Sequence, residues 1–90
     1  MAVIVNIPQF LEHLIGGVKT VETGGGTVGQ CLDETVKRYP GLAEMLFEKP
    51  GKLKATIGIY INRKSAYPRE LKKTVRSGDV IDIILAICGG

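Results

Sequence analysis

An α+β fold is what this sequence predicts, with a mixed sheet of four to five strands carrying one main helix on one face. Three observations point to it. Residues 2–7 are a near-continuous run of β-branched and small apolar side chains, the make-up of a central strand. Residues 27–39 hold the one long helical stripe. Residues 56–62 place isoleucines at alternate positions, the strand period, and residues 80–87 are a second long apolar run.

In chain order, Pro8 removes a ladder donor and ends the first strand. Residues 9–15 are mixed and read as a loop. Gly16-Gly17 is a turn signal, and residues 18–22 alternate as a second strand that completes a hairpin with a long connection. Gly24-Gly25-Gly26 reads as flexible punctuation. Thr27 is then placed as a helix N-cap. Val28, Cys31, Leu32, Thr35, Val36 and Tyr39 form one stripe, while Gln30, Asp33, Glu34, Lys37 and Arg38 take the other face. Acids early and bases late complement the helix dipole. Pro40-Gly41 stops the helix, and Leu42, Leu46 and Phe47 predict a short helical turn packed beneath it. Residues 48–54 read as a polar connection through Pro50-Gly51. Residues 56–62 follow as a strand with Ile57, Ile59 and Ile61 on one face and Gly58 and Tyr60 on the other. Residues 65–77 read as irregular, anchored by Leu71 and Val75, and Ser77-Gly78-Asp79 turns the chain into the last strand. A hairpin, a crossing helix and a return into the same sheet place first and last strands side by side and parallel, which is a β-grasp layout.

Ninety residues make one domain, expected to span 1–90 with a flexible tail at 87–90. At this size about 60–65% of the unfolded surface can be buried, enough for one core. No apolar run approaches the roughly 20 residues of a membrane span. The first residues lack a basic region and a cleavage site, and read as strand rather than leader. Two cysteines, Cys31 and Cys88, fit free thiols in a reducing compartment, so a cytoplasmic location is expected. The net charge of +3 is mild, but six of the twelve basic residues fall within residues 63–76, with Glu70 the only acid there. Such a cluster suits an acidic partner or nucleic acid. With Tyr67 the only aromatic inside it, a solvated loop face is the preferred reading and nucleic acid is not expected.

Catalytic groups are not evident. His13 is the only histidine and has no nucleophile partner in view. Cys31 lies on the apolar helix stripe and reads as a small core residue. Two cysteines cannot supply the four ligands of a ferredoxin-type cluster. The glycine run before the helix lacks the Lys-Ser/Thr of a P-loop and the spacing of a dinucleotide fingerprint.

What remains is the end of the chain. The apolar run at 80–87 leads through Cys88 into Gly89-Gly90. Glycines without Cβ thread a narrow tunnel easily and leave a terminal carboxylate unhindered. Those properties suit a carboxylate delivered into another protein's active site; a frayed terminus is the plain alternative.

Taken with the order of elements, the strand Ile57-Gly58-Ile59-Tyr60-Ile61-Asn62, the turn Gly78-Asp79, Ile81 and Ile83, and the terminal Gly89-Gly90, the chain resembles the ThiS/MoaD group of ubiquitin-like sulfur carriers. Pro50-Gly51-Lys52-Leu53 looks most like the CysO-type carriers of cysteine synthesis. Two positions depart from the family pattern: Ile84-Leu85-Ala86-Ile87 stands where a proline is often found, and Cys88 where alanine is common.

The resemblance implies that the protein is a carrier and substrate, not an enzyme. A ubiquitin-activating-type enzyme, using ATP and magnesium, would adenylate Gly90, with Gly89 as the thread before it, and a sulfur nucleophile would displace AMP to leave a thiocarboxylate. The carrier itself would bind no cofactor or metal. A sulfur-accepting biosynthetic enzyme, making cysteine, thiamine, molybdopterin or a similar product, would be the second partner. The alternative is a protein modifier joined to target lysines through Gly90. No membrane association is expected, and the free protein is expected to be a monomer. In a β-grasp sheet, side-chain alternation turns Ile4, Tyr60 and Ile84 away from the helix, so these are expected to line up as a docking surface, with Ile87 and Cys88 continuing it into the tail.

Overall fold

The computed structural model describes residues 2–85. Its strands are β1 (Val3–Asn6), β2 (Thr20–Thr23), β3 (Phe47–Lys49), β4 (Lys52–Leu53), β5 (Ile57–Ile61), β6 (Lys64–Ser65) and β7 (Val80–Leu85). Its helices are α1 (Gln9–Glu12), α2 (Val28–Arg38) and α3 (Ala43–Leu46). The main sheet runs β2-β1-β7-β5-β6, with β3 and β4 as a separate pair. β1 and β7 lie parallel at the centre and every other pairing is antiparallel. This is the β-grasp fold, with five strands in the mixed sheet.

Alternation sorts the side chains as the pattern requires. Val3, Val5, Ile57, Ile59, Ile81 and Ile83 are buried on one face. Val28, Cys31, Leu32 and Thr35 of α2 cover them, and Leu42 and Leu46 close the core from beside the helix. Thr27 caps α2: its Oγ1 accepts from the Gln30 N–H at 3.2 Å, and the Gln30 Oε1 accepts from the Gly26 N–H at 2.7 Å. The Thr27 cap is worth about 1 kcal/mol, and the Gln30 amide ties the residue before the cap to the first turn.

Four expectations need correction. Residues 9–15 are not a loop: α1 runs into a 3-10 turn at His13–Ile15, and Leu11 and Ile15, one helical turn apart, are buried. Residues 48–54 are not a plain connection: Pro50-Gly51 turns β3 back on β4, with Gly51 at φ +82°, the left-handed value that a type II turn asks of glycine. Residues 65–77 are less irregular than expected: Ser65 ends β6, Glu70–Lys72 form a 3-10 turn, and Ala66 joins Val75 among the buried residues. Finally, Gly24-Gly25-Gly26 is packed against α2. A Cβ on Gly25 would stand 2.7 Å from the Gln30 Cβ and 2.9 Å from the Cys31 N. The same loop is tied to the approach to β7, since the Val75 N–H donates to the Gly26 carbonyl (3.0 Å) and the Val28 N–H to the Lys73 carbonyl (2.9 Å).

Candidate functional site: the open sheet face and the strand that leads to the tail

The face of the sheet away from α2 carries Ile4, Asn6, Val80, Asp82, Ile84, Gly58 and Tyr60. Ile4 and Tyr60 are half-buried and Ile84 is 36% exposed. The alternation argument therefore assigns the faces correctly. The expectation that Ile4, Tyr60 and Ile84 line up does not hold. Ile4 is opposite Val80, Tyr60 opposite Asp82, and Ile84 opposite Gly58. Four residues along β7 separate the levels of Ile4 and Ile84, about 13 Å at strand rise. The apolar groups make two patches, Ile4 with Val80 and Ile84 with Tyr60. Between them lies a polar pair in which the Asn6 Nδ2 donates to the Asp82 Oδ1 at 2.7 Å. A parallel register cannot be read from a turn, because no hairpin joins β1 to β7. Here it is pinned by the Gly78 N–H on the Ala2 carbonyl and the Ile4 N–H on the Asp79 carbonyl, both 3.0 Å.

A shallow cleft of about 440 Å³ opens on this face between Pro8, Tyr60, Arg63, Asp82 and Ile84. Pro8 shapes it. The β1 ladder stops at Asn6, opposite Asp82, while β7 continues beside β5 as far as Leu85, opposite Ile57. The last three residues of β7 thus have a strand on one side only. Leu85 shares the face of Ile57, yet at the end of the strand it is 48% exposed.

The Gly78-Asp79 turn fixes where β7 begins. Gly78 has φ +94°, a left-handed conformation that glycine adopts without steric cost. The Asp79 Oδ2 accepts from the Arg76 N–H (2.8 Å) and its Oδ1 from the Asn62 Nδ2 (2.9 Å). The Asn62 Oδ1 in turn accepts from the Val80 N–H at 2.9 Å. These bonds favour the charged carboxylate: first the Asn62 amide, then the Arg76 N–H, hold Asp79 below the usual carboxylate range. Asn62 itself sits at φ 50° and Arg63 at 70°, the pair of left-handed residues of a type I′ hairpin turn joining β5 to β6. In the sequence, Asn62 is the one residue of that turn whose type favours a left-handed conformation. Asn62 and Asp79 together splice the end of β5 to the start of β7.

Cys31 is fully buried, with its Sγ 3.7 Å from the Gly25 carbonyl, and His13 is exposed. All six basic residues of the 63–76 stretch are exposed. Among the described residues, no group of three His, Cys, Asp or Glu side chains is placed to hold a metal ion, and no helix is long and apolar enough to cross a membrane. Ile87, Cys88, Gly89 and Gly90 lie outside the described residues.

The model of the ThiS family matches residues 5–90. The chain belongs to the ThiS family. Among solved structures, it is similar to a chain of the Amycolatopsis orientalis BexX/CysO complex, at 36% identity and TM-score 0.86, covering 99% of this chain and 100% of that one. CysO from Mycobacterium tuberculosis follows at 32% identity and TM-score 0.83, covering 94% and 99%. SAMP1 from Haloferax volcanii shares 25% identity at TM-score 0.82, with both chains fully covered. No curated protein matches. The ThiS-family assignment places the chain among ubiquitin-like sulfur carriers and modifiers, small proteins that serve as substrates of other enzymes. In that family setting, β7 is the strand that leads to the Gly-Gly end, and the open face lies beside it.

Proposed function

We propose that this protein carries sulfur as a thiocarboxylate on Gly90. The observation that supports it most is the family match, which extends through Gly89-Gly90. The reaction falls in two steps on a partner of the ubiquitin-activating type. The Gly90 carboxylate oxygen attacks the α-phosphorus of ATP, whose charge the partner's magnesium offsets, and pyrophosphate leaves. Hydrosulfide then attacks the acyl carbon of the adenylate, AMP leaves, and Gly90 ends as C(=O)S⁻ with release of a proton. A carboxylate needs this activation because oxide is a poor leaving group, whereas AMP is a good one.

This chain's own part is delivery. The open face, with Ile84 and Tyr60 beside the cleft and Ile4 and Val80 a level away, is the docking surface, and Asp82 sets polar register between the two apolar patches. Ile87 and Cys88 continue the contact into the partner's channel, where Gly89 and Gly90 pass without Cβ atoms. The sulfur then goes to a biosynthetic acceptor, and the likeness to CysO favours cysteine formation. A second reading has its own support: similarity to SAMP1, named a small archaeal modifier protein, favours attachment through Gly90 to a target lysine.

The test is reaction with the adenylating enzyme, ATP and either sulfide or an amine acceptor, followed by mass analysis of the C-terminal peptide. Exchange of one oxygen for sulfur supports the carrier. An isopeptide with lysine supports the modifier. ATP–pyrophosphate exchange that persists after removal of Gly90 contradicts both.

A further inference from the structure

A groove of about 640 Å³ runs around the outer edge of β5, from the margin of the core to the open face. Its floor is apolar, built from Leu53, Ile57 and Leu71 at the margin of the core and from Tyr60 and Ile84 of the open face, with the buried Ile59 beneath. Its lips are basic: Lys52 and Lys54 come from β4 and the residue after it, Arg69 and Lys72 from the segment of the 3-10 turn at Glu70–Lys72, and Glu70 is the one acid in the lining. Lys52 also reaches Glu48 outside the groove at 3.3 Å, a surface pair that water screens. Tyr67, 76% exposed, also lines the groove.

The strand edge along this groove is incomplete. β6 pairs only with Tyr60 and Ile61. The Asn62 N–H donates to the Val80 carbonyl at 2.8 Å, so the peptide groups of Gly58 and Tyr60 also point at β7 and those of Ile57 and Ile59 point away. Outward, the Ile57 N–H is taken by the Lys54 carbonyl (3.0 Å) and the Ile59 carbonyl by the Ala66 N–H (2.9 Å). The Ile57 carbonyl and the Ile59 N–H are then the edge groups that an added strand would take.

We propose that this groove binds an extended, acidic peptide segment of a partner protein. Main-chain pairing to the β5 edge would fix the segment, alternate apolar side chains would enter the floor, and its carboxylates would meet lysines and Arg69 on both lips. Arg69 and Lys72 belong to the basic stretch at residues 63–76, whose charge alone suits an acidic partner or nucleic acid. An apolar floor with Tyr67 as the one exposed aromatic ring suits a peptide strand better than a series of stacked bases. The inference needs neither the tail nor ATP, although the groove shares Tyr60 and Ile84 with the surface proposed for the adenylating enzyme.

The experiment uses the full chain, labelled with nitrogen-15, and a fluorescein-labelled peptide of alternating glutamate and valine. A serine-valine peptide and a single-stranded oligothymidylate of similar length are the comparators. Saturable binding of the acidic peptide is expected, with amide shifts centred on residues 51–60 and 65–72 and on Ile84. Joint replacement Lys54→Glu and Lys72→Glu should weaken it about tenfold or more. No binding by the acidic peptide, equal binding by the serine-valine peptide, or shifts centred elsewhere would overturn the proposal. Tighter binding of the oligothymidylate at the same residues would replace it with nucleic-acid recognition. The shift map is made on the unaltered chain, so it decides the matter even if the double variant fails to fold.

Discussion

Replacing Ile84 by aspartate probes the open face most sharply, because the structure sets the expected cost on both sides of the measurement. Ile84 is 36% exposed in the free protein. Full burial of an isoleucine side chain is worth about 1.5–3 kcal/mol, so roughly 0.5–1 kcal/mol remains to be gained on docking. Aspartate forfeits that gain and places a carboxylate in the interface, two positions along the same strand face from Asp82. A buried charge without a partner costs about 3–5 kcal/mol. Even with that figure halved for a rim position, the loss is about 2–3 kcal/mol, a factor of roughly 30 to 150 in affinity. In the free domain the buried two-thirds of the side chain is lost, about 1–2 kcal/mol, with up to about 1 kcal/mol more for aspartate in a strand. That should lower the melting temperature without unfolding a domain of ordinary stability, about 5–15 kcal/mol. Ile84→Ala should show only the apolar part, about two- to fivefold in affinity. Calorimetric titration against the adenylating enzyme, with thermal melts of each variant, reads both quantities. Undiminished affinity of a folded Ile84→Asp protein would refute the assignment of this face.

Three further outcomes follow from the packing. Asp79 has its folded pKa lowered, so the stability it contributes is complete above the ordinary carboxylate pKa of 3.8 and is lost as pH falls through the lowered folded value. Urea melts across that acidic range should show a flatter pH dependence for Asp79→Asn than for the parent, and an unchanged slope would deny Asp79 this role. Gly25→Ala should destabilise by about 1–3 kcal/mol, because a Cβ there meets the Gln30 Cβ at 2.7 Å and backbone at 2.9 Å; a neutral melt would mean that the loop yields freely. Native thiol labelling should leave Cys31, fully buried, unmodified while Cys88 reacts. Modification of Cys31 in the folded protein would contradict its place in the core.

Much of the fold was legible because its strongest elements are periodic. The α2 stripe recurs at helical spacing behind a threonine cap, and β5 alternates isoleucine with other residues, so type and buried face followed together. The short elements escaped for particular reasons. α1 and the 3-10 turn after it offer only Leu11 and Ile15 as a buried pair, too few repeats to stand out behind Pro8. β3 and β4 hold three and two residues, so the Pro50-Gly51 turn signal had no strand pattern to join. Gly25 read as slack because nothing local reveals that α2 packs against it. At the candidate site, the faces of Ile4, Tyr60 and Ile84 could be read from alternation. Their relative heights could not, because the parallel register of β1 on β7 is fixed by contacts 76 residues apart, such as Asn6 with Asp82.

The central claim is that Gly90 carries the reactive group, and mass analysis of the C-terminal peptide tests it most directly. The protein is incubated with its adenylating enzyme, ATP, magnesium and sulfide, then digested and measured at accurate mass. The account predicts replacement of one oxygen by sulfur on the peptide ending in Gly90, dependent on ATP and absent for Gly89→Val. A C-terminal peptide that stays a plain carboxylate while the enzyme turns over its ATP would contradict it.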